Sequence, residues 1–129
     1  MGYAPQEEEN RRLVLNVYEH VLKPLDSSRV DEFFAHDYIQ HNPTAKTGAE
    51  GLKSFLEWAR RQSPNAEHRV KRVFVDGDHV IAHVHVVINP GELGLAVVDI
   101  FRIENGRIAE HWDVAQPVPA DAANSNGMF

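Results

Sequence analysis

The stretch Leu95-Ala96-Val97-Val98-Asp99-Ile100-Phe101-Arg102-Ile103-Glu104-Asn105-Gly106-Arg107-Ile108-Ala109-Glu110-His111-Trp112-Asp113-Val114 decides the fold. Apolar residues recur on both sides of Asn105-Gly106. That dipeptide favours a tight two-residue hairpin turn, because both its residues accept positive φ. The pattern predicts a strand over 95–103 and an antiparallel partner over 107–114. Side chains alternate faces along a strand, so Asp99 shares one face with Leu95, Val97, Phe101 and Ile103. A carboxylate among apolar neighbours is costly unless it is paired or protonated. His111 and Asp113 share a face of the second strand. If that face lies beside Asp99, two carboxylates and an imidazole meet in apolar surroundings, an arrangement suited to proton transfer. Strand parity supports this grouping, and a β-bulge, if present, would turn Asp113 away and leave Trp112 facing inward.

Working outward, segments 68–75 and 79–88 flank Asp76-Gly77 and read as a second hairpin. Asn89-Pro90-Gly91-Glu92 makes the turn that follows. Ahead of residue 67 the period changes to that of helices. The first helix is expected from about Pro5 to Leu25, with a stripe of Leu13, Val14, Val17, Tyr18, Val21 and Leu22. Pro5 suits its first turn, Glu7, Glu8 and Glu9 suit its positive end, and Pro24 ends it. A short second helix is expected to use Ser28 as its cap and Val30, Phe33 and Phe34 as its apolar side. Tyr38 to Pro43 is extended. Thr47-Gly48-Ala49-Glu50 matches a capping box for a third helix reaching about Gln62, with Leu52, Phe55, Leu56 and Ala59 inward. The expected fold class is α+β: a cone-shaped curved antiparallel sheet wrapped by three N-terminal helices around an internal pocket. Residues 1–129 form one domain, and about 117–129 form a C-terminal tail whose Met128-Phe129 can dock on a neighbouring surface.

A net charge of −6 with no dense basic run argues against nucleic-acid binding. The absence of cysteine excludes disulfides, thiolate metal sites and cysteine nucleophiles. No stretch reads as a signal peptide or membrane span, so a cytoplasmic protein is the expectation. Gly-Xaa-Ser-Xaa-Gly, a phosphate-gripping glycine loop and a dinucleotide fingerprint are missing from the sequence. Serine acyl transfer and nucleotide chemistry are therefore disfavoured.

Asp113, Asp99, His111 and His41 are the candidate catalytic residues. An apolar wall raises a carboxylate toward working pH, which suits a general acid or base. The alternative for Asp99 is a buried structural carboxylate, with Asp113 at the surface. His41 and Asn42 lie at a strand end before Pro43, where residues often border a cavity mouth. His83 and His85, two apart on a strand, can bind a metal, but no further fixed ligand spacing accompanies them; polar pocket lining or an exposed sheet face is favoured instead. Their other face (Val80, Ala82, Val84, Val86, Ile88) is apolar and should pack on helices or another subunit. Tyr38, Phe55, Trp58, Phe101 and Trp112 are the aromatic walls available to a ligand.

Two blocks carry a family resemblance: Tyr38-Ile39-Gln40-His41-Asn42-Pro43 and, more specifically, Val98 through Asp113. Over about Glu8 to Gln116 the chain resembles the SnoaL-like polyketide cyclases. They belong to a superfamily that includes nuclear transport factor 2, ketosteroid isomerase and scytalone dehydratase. The resemblance implies a curved sheet and helices around a deep pocket. It also implies ring closure by intramolecular aldol condensation, without cofactor or metal, with an aspartate as acid/base. That aspartate maps onto Asp113. The cyclases carry a histidine on the preceding strand where this chain has Asp99, so the same ring closure is not implied in full.

The expected function is a cofactor-independent lyase or isomerase acting on a small apolar carbonyl compound. Asp113 would move the proton, His111 and Asp99 would tune it, and His41 and Asn42 would steady an oxyanion. Epoxide or ester hydrolysis on the same scaffold, resembling limonene epoxide hydrolase, ranks lower, because Arg102 lies on the strand face away from Asp99. A small-molecule-binding or protein-interaction module is the non-enzyme alternative. A small organic ligand and a homodimer are the expected partners.

Overall fold

A computed structural model describes residues 2–129. Helix α1 covers Pro5–Val17 and runs straight into a π-helical turn, Tyr18–Leu22. A 3-10 turn at Ser27–Arg29 leads into the short helix α2, Val30–Phe33. Strand β1 is Phe34–Gln40 and helix α3 is Gly48–Gln62. Four strands follow: β2 (Glu67–Asp76), β3 (His79–Val87), β4 (Leu95–Glu104) and β5 (Arg107–Pro117). The sheet order is β1-β5-β4-β3-β2. β2 to β5 pair antiparallel, β2 with β3 and β4 with β5 through tight turns and β3 with β4 through the longer 88–94 connection. β1 adds to β5 in parallel, so the sheet is mixed. The α+β class expected from the sequence is the one observed.

Both hairpins form where the sequence places them. Asn105 and Gly106 have φ of 52° and 73°, the left-handed geometry of a tight turn. Gly77, at φ 62°, turns β2 into β3. The first helix is tied to this second turn: Glu7 accepts from the Gly77 N–H at 3.0 Å, and the Asn10 amide donates to the Gly77 carbonyl at 3.2 Å.

Two caps differ from expectation. Asp26, not Ser28, caps the 3-10 turn, accepting from the Ser28 N–H and hydroxyl. Thr47 makes no cap bond to α3. Its hydroxyl instead accepts from Gln40 N–H at 3.1 Å and donates to the Tyr38 carbonyl at 3.2 Å. The strand end has taken the hydroxyl that the helix was expected to use, which fixes the backbone carrying Tyr38 and Gln40. Phe34, expected on the second helix, opens β1 instead.

The core lies between the helices and the concave side of the sheet. Val14, Val17, Tyr18 and Val21 pack there with Val80, Ala82, Val84, Phe101 and Ile108. Each fully buried aliphatic side chain contributes roughly 1.5–3 kcal/mol. At one end the layers separate and leave a cavity of about 540 Å3. No helix among the described residues is long and apolar enough to cross a membrane.

Candidate active site

The cavity wall carrying chemistry is built by the 95–114 hairpin, and a bulge decides its composition. Next to the turn, Glu104 pairs with Arg107 and Ile103 with Ile108. Continued without interruption, that count sets Trp112 opposite Asp99. The register shifts between Arg102 and Ile103, with Ala109 as the extra residue on β5, and from there Asp99 faces Asp113 directly. The bulge therefore acts oppositely to the sequence expectation. It brings Asp113 in and turns Trp112 out.

Asp99, His111 and Asp113 converge on the cavity, with one ligand-capable atom from each lying within 4.8 Å of the others. Like charges directly opposed across strands repel, and each carboxylate has its own partners. Asp99 is 8% exposed. Its Oδ2 accepts from the Tyr18 hydroxyl at 2.5 Å, and its Oδ1 lies 2.9 Å from His111 Nε2. Burial, and then the negative charge of Asp99, push the Tyr18 hydroxyl well above its ordinary pKa of 10, so it remains a donor. Tyr18 supports Asp99 from behind and does not line the cavity. It begins the π-helical turn, a local widening often found where a helix serves a site.

The tautomer of His111 follows from its neighbours. Gln40 Oε1 lies 2.8 Å from His111 Nδ1 and also accepts from the Asn42 N–H at 3.0 Å. A backbone N–H can only donate, which fixes the oxygen end of the Gln40 amide there. His111 Nδ1 must therefore carry a proton. Its Nε2 then shares one further proton with Asp99: either Asp99 is the acid and Nε2 accepts, or Asp99 is ionised and His111 is cationic. Both states fit the same heavy-atom positions.

Asp113 is held differently. The Asn42 amide donates to its Oδ2 at 2.7 Å, while Asn42 Oδ1 accepts from the Thr44 N–H at 2.8 Å. The Thr44 N–H fixes the Asn42 amide orientation by the same logic. Asp113 lines the cavity, and its Oδ1 has no hydrogen-bond partner among the described residues. Tyr38 completes the polar wall. It accepts from Gln40 Nε2 at 3.0 Å, leaving its own O–H to donate, and burial raises its pKa to about 12. Asp99, His111 and Asp113 could hold a divalent cation as a donor set, but a cation would have to replace the proton between His111 and Asp99.

The remaining candidates separate into two groups. Asn42, Tyr38, Phe55, Trp58 and Phe101 line the cavity with Asp99, His111 and Asp113. His41, His83, His85 and Trp112 do not. His41 bonds Glu110 Oε2 at 2.7 Å and stacks on Trp112 at 4.9 Å, on the outer face. Asn42 gives one of its two amide N–H groups to Asp113, whereas His41 lies off the cavity and does not have the oxyanion-holding position expected of it. Arg102 donates to Glu110 at 2.9 Å on the same outer side. His41 and Arg102 together hold the Glu110 carboxyl below the usual range. His83 Nδ1 accepts from Arg72, and His85 bonds the Leu93 carbonyl at 2.7 Å. The tail returns to cover them: Phe129 stacks on His85 at 4.4 Å and tilts over His83 at 5.4 Å. The docking surface of Met128-Phe129 thus includes this chain's own sheet.

Tyr18, Gln40 and His68 belong to the site and were not among the sequence candidates. Tyr18 reads as one more member of the buried helical stripe, and its hydroxyl was the available signal. His68 is masked by a second bulge, at Lys71 between Val70 and Arg72. Unbroken alternation puts His68 on the face of Phe74, which is outer; the bulge puts it inward, opposite Val86.

A family model described as a SnoaL-like domain matches residues 14–111. The chain belongs to the SnoaL-like family. No curated protein matches it. Solved structures agree on the fold of this SnoaL-like chain. A Bacillus cereus ATCC 10987 protein assigned as a polyketide cyclase superposes with TM-score 0.75 at 20% identity, over 88% of this chain and 78% of that one. A Jannaschia Sp. CCS1 protein, assigned as a SnoaL-like polyketide cyclase, gives 0.74 at 20% identity, over 89% and 90%. A Cytophaga hutchinsonii ATCC 33406 protein of unknown function, described as NTF2-like, gives 0.69 at 18% identity, over 84% and 90%.

Proposed function

We propose that this SnoaL-like chain is a cofactor-independent lyase or isomerase. Its substrate is a small, largely apolar carbonyl compound. The observation that carries the reading is the placement of Asp113 on an apolar cavity wall, with one oxygen held by Asn42 and the other open. Asp113 takes the proton from the carbon next to the carbonyl. The electrons move onto the carbonyl oxygen, and the Tyr38 O–H donates to it; such a donor is worth about 3–4 kcal/mol of barrier. The Asp99–His111 pair holds a proton that can be delivered as charge develops. Net proton return to carbon gives an isomerase, and attack of the enolate on a second carbonyl gives ring closure. Family membership supports this class of chemistry. Arg102 is bonded to Glu110 outside the cavity, so the hydrolase alternative lacks its arginine.

The same reading takes two copies as the assembly and the cytoplasm as the setting. Phe74, Val98 and Val114 are exposed on the outer sheet face, which supports pairing; light scattering tests it. The catalytic test is exchange of solvent deuterium into the α-carbon of 1-tetralone and 2-tetralone. Wild type should accelerate exchange, and Asp113→Asn should lose at least about 100-fold while its melting temperature stays within a few degrees. Full exchange activity in that variant contradicts the assignment.

A further inference from the structure

Among the described residues that line the cavity, His68 is the titratable one that the proton-transfer machinery does not use. It sits on β2 opposite Val86, and the register continues from Val86 to Leu95 on β4. It is therefore two strands across and four residues along from Asp99, toward the Leu95 end of the sheet. Leu22, Leu25, Leu52, Leu56 and Val97 line much of the wall around and between them.

Its two ring nitrogens are not equivalent. Nδ1 is walled off by protein and has no hydrogen-bond partner among the described residues. An orphaned buried N–H is rarer in proteins than an under-used acceptor. The proton of the neutral ring therefore belongs on Nε2, the nitrogen that is not walled off. Burial moves the His68 pKa below its ordinary 6.5, against the opposing pull of the Asp99 charge. The ring is thus neutral at pH 7 and presents one N–H donor.

The electrostatics of the cavity restrict what that donor can meet. Asp99 and Asp113 line the cavity, and no lysine or arginine does so among the described residues. An anionic ligand would face the Asp113 carboxylate, and the Asp99–His111 pair, neutral overall in either arrangement of its proton, supplies no net positive charge to offset it.

We propose that His68 is a second recognition point, donating from Nε2 to an uncharged oxygen on the ligand remote from the reacting carbonyl. This rests on the carbonyl reading of the site and narrows its substrate class. The substrate is a neutral hydrocarbon framework with at least two oxygen functions, one at the Asp113 end and one at the His68 end. Carboxylates and phosphates are excluded.

The test is calorimetric titration with 1-tetralone, its 5-, 6- and 7-methoxy derivatives, and the 6-carboxylate. At least one methoxy isomer should bind wild type about 5-fold tighter than 1-tetralone, the range of one added neutral hydrogen bond. The carboxylate should bind at least about 10-fold weaker than 1-tetralone. His68→Phe and His68→Leu should bring the methoxy preference down to about 1-fold, and His68→Gln, which keeps an N–H donor, should retain part of it. If one apolar variant does not fold, the other supplies the comparison. Asp113→Asn should leave the preference unchanged while losing deuterium exchange, so failure of recognition and failure of catalysis are read separately. No methoxy preference in wild type, a preference surviving in a folded apolar variant, or no binding of any compound overturns the proposal.

Discussion

Replacing Tyr18 with phenylalanine removes one oxygen and little else. The ring is 1% exposed and packs edge-on against Phe101, with centroids 6.0 Å apart. Phenylalanine keeps that packing. What disappears is the 2.5 Å bond to Asp99 Oδ2, the one partner that oxygen has among the described residues. Hydrogen bonds to charged groups are worth about 1.5–3 kcal/mol, and a buried carboxylate oxygen left without a donor costs a similar amount. For a chain of 129 residues, 1 kcal/mol moves the melting temperature by roughly 3–5 °C, so Tyr18→Phe should melt about 5–15 °C lower. The assay is urea and thermal unfolding by circular dichroism at pH 7. It should be repeated in an Asp99→Asn background to close a double-mutant cycle. A coupling of at least about 1 kcal/mol is expected. A loss under about 0.5 kcal/mol with no coupling would refute the claim that Tyr18 stabilises the Asp99 carboxylate. There is also a pH signature. The folded pKa of Tyr18 is raised, so its contribution is complete below the unfolded value of 10 and is lost as pH rises beyond it. Tyr18→Phe should flatten the alkaline fall in stability.

Other outcomes follow from the same geometry. The folded pKa of His68 is lowered, so between that value and 6.5 the unfolded chain binds the extra proton. Its contribution is complete above 6.5 and is lost as pH falls, so wild type should lose stability relative to His68→Phe in urea unfolding from pH 7 to pH 5. His41→Ala should leave deuterium exchange within about 3-fold of wild type, because the ring lies outside the cavity, bonded to Glu110; a 100-fold loss would place it in the reaction.

Much of the fold was legible because local chemistry and global pattern agree. Asn105-Gly106 and Asp76-Gly77 specify their turns, and the apolar residues at 95, 97, 101 and 103 specify the buried face that carries Asp99. The illegible parts are those where one residue slips the register. Ala109 and Lys71 carry no turn chemistry, yet each adds one residue to a strand and reverses the faces beyond it. The first bulge decides whether Asp113 or Trp112 meets Asp99. The second decides whether His68 enters the cavity at all. The helix-capping motif at Thr47 misled for a different reason. Two donors compete for its hydroxyl oxygen, the N–H groups of the first helical turn and the Gln40 N–H, and the strand end carrying Gln40 won over the helix. That competition is tertiary, so local sequence does not reveal it. Tyr18 and Gln40 were invisible as site residues because each touches its partner only across the sequence, 81 residues away for Tyr18–Asp99 and 71 for Gln40–His111.

The account depends on one proton being held between Asp99 and His111, with His111 Nδ1 already protonated toward Gln40. A long-range proton–nitrogen correlation spectrum of the nitrogen-15-labelled protein, assigned with His111→Gln, reads this directly. The predicted result is a protonated Nδ1 at pH 7, with Nε2 either accepting or also protonated, and an Nε2 signal that moves in Asp99→Asn. A neutral ring protonated on Nε2 alone, indifferent to Asp99, would contradict it.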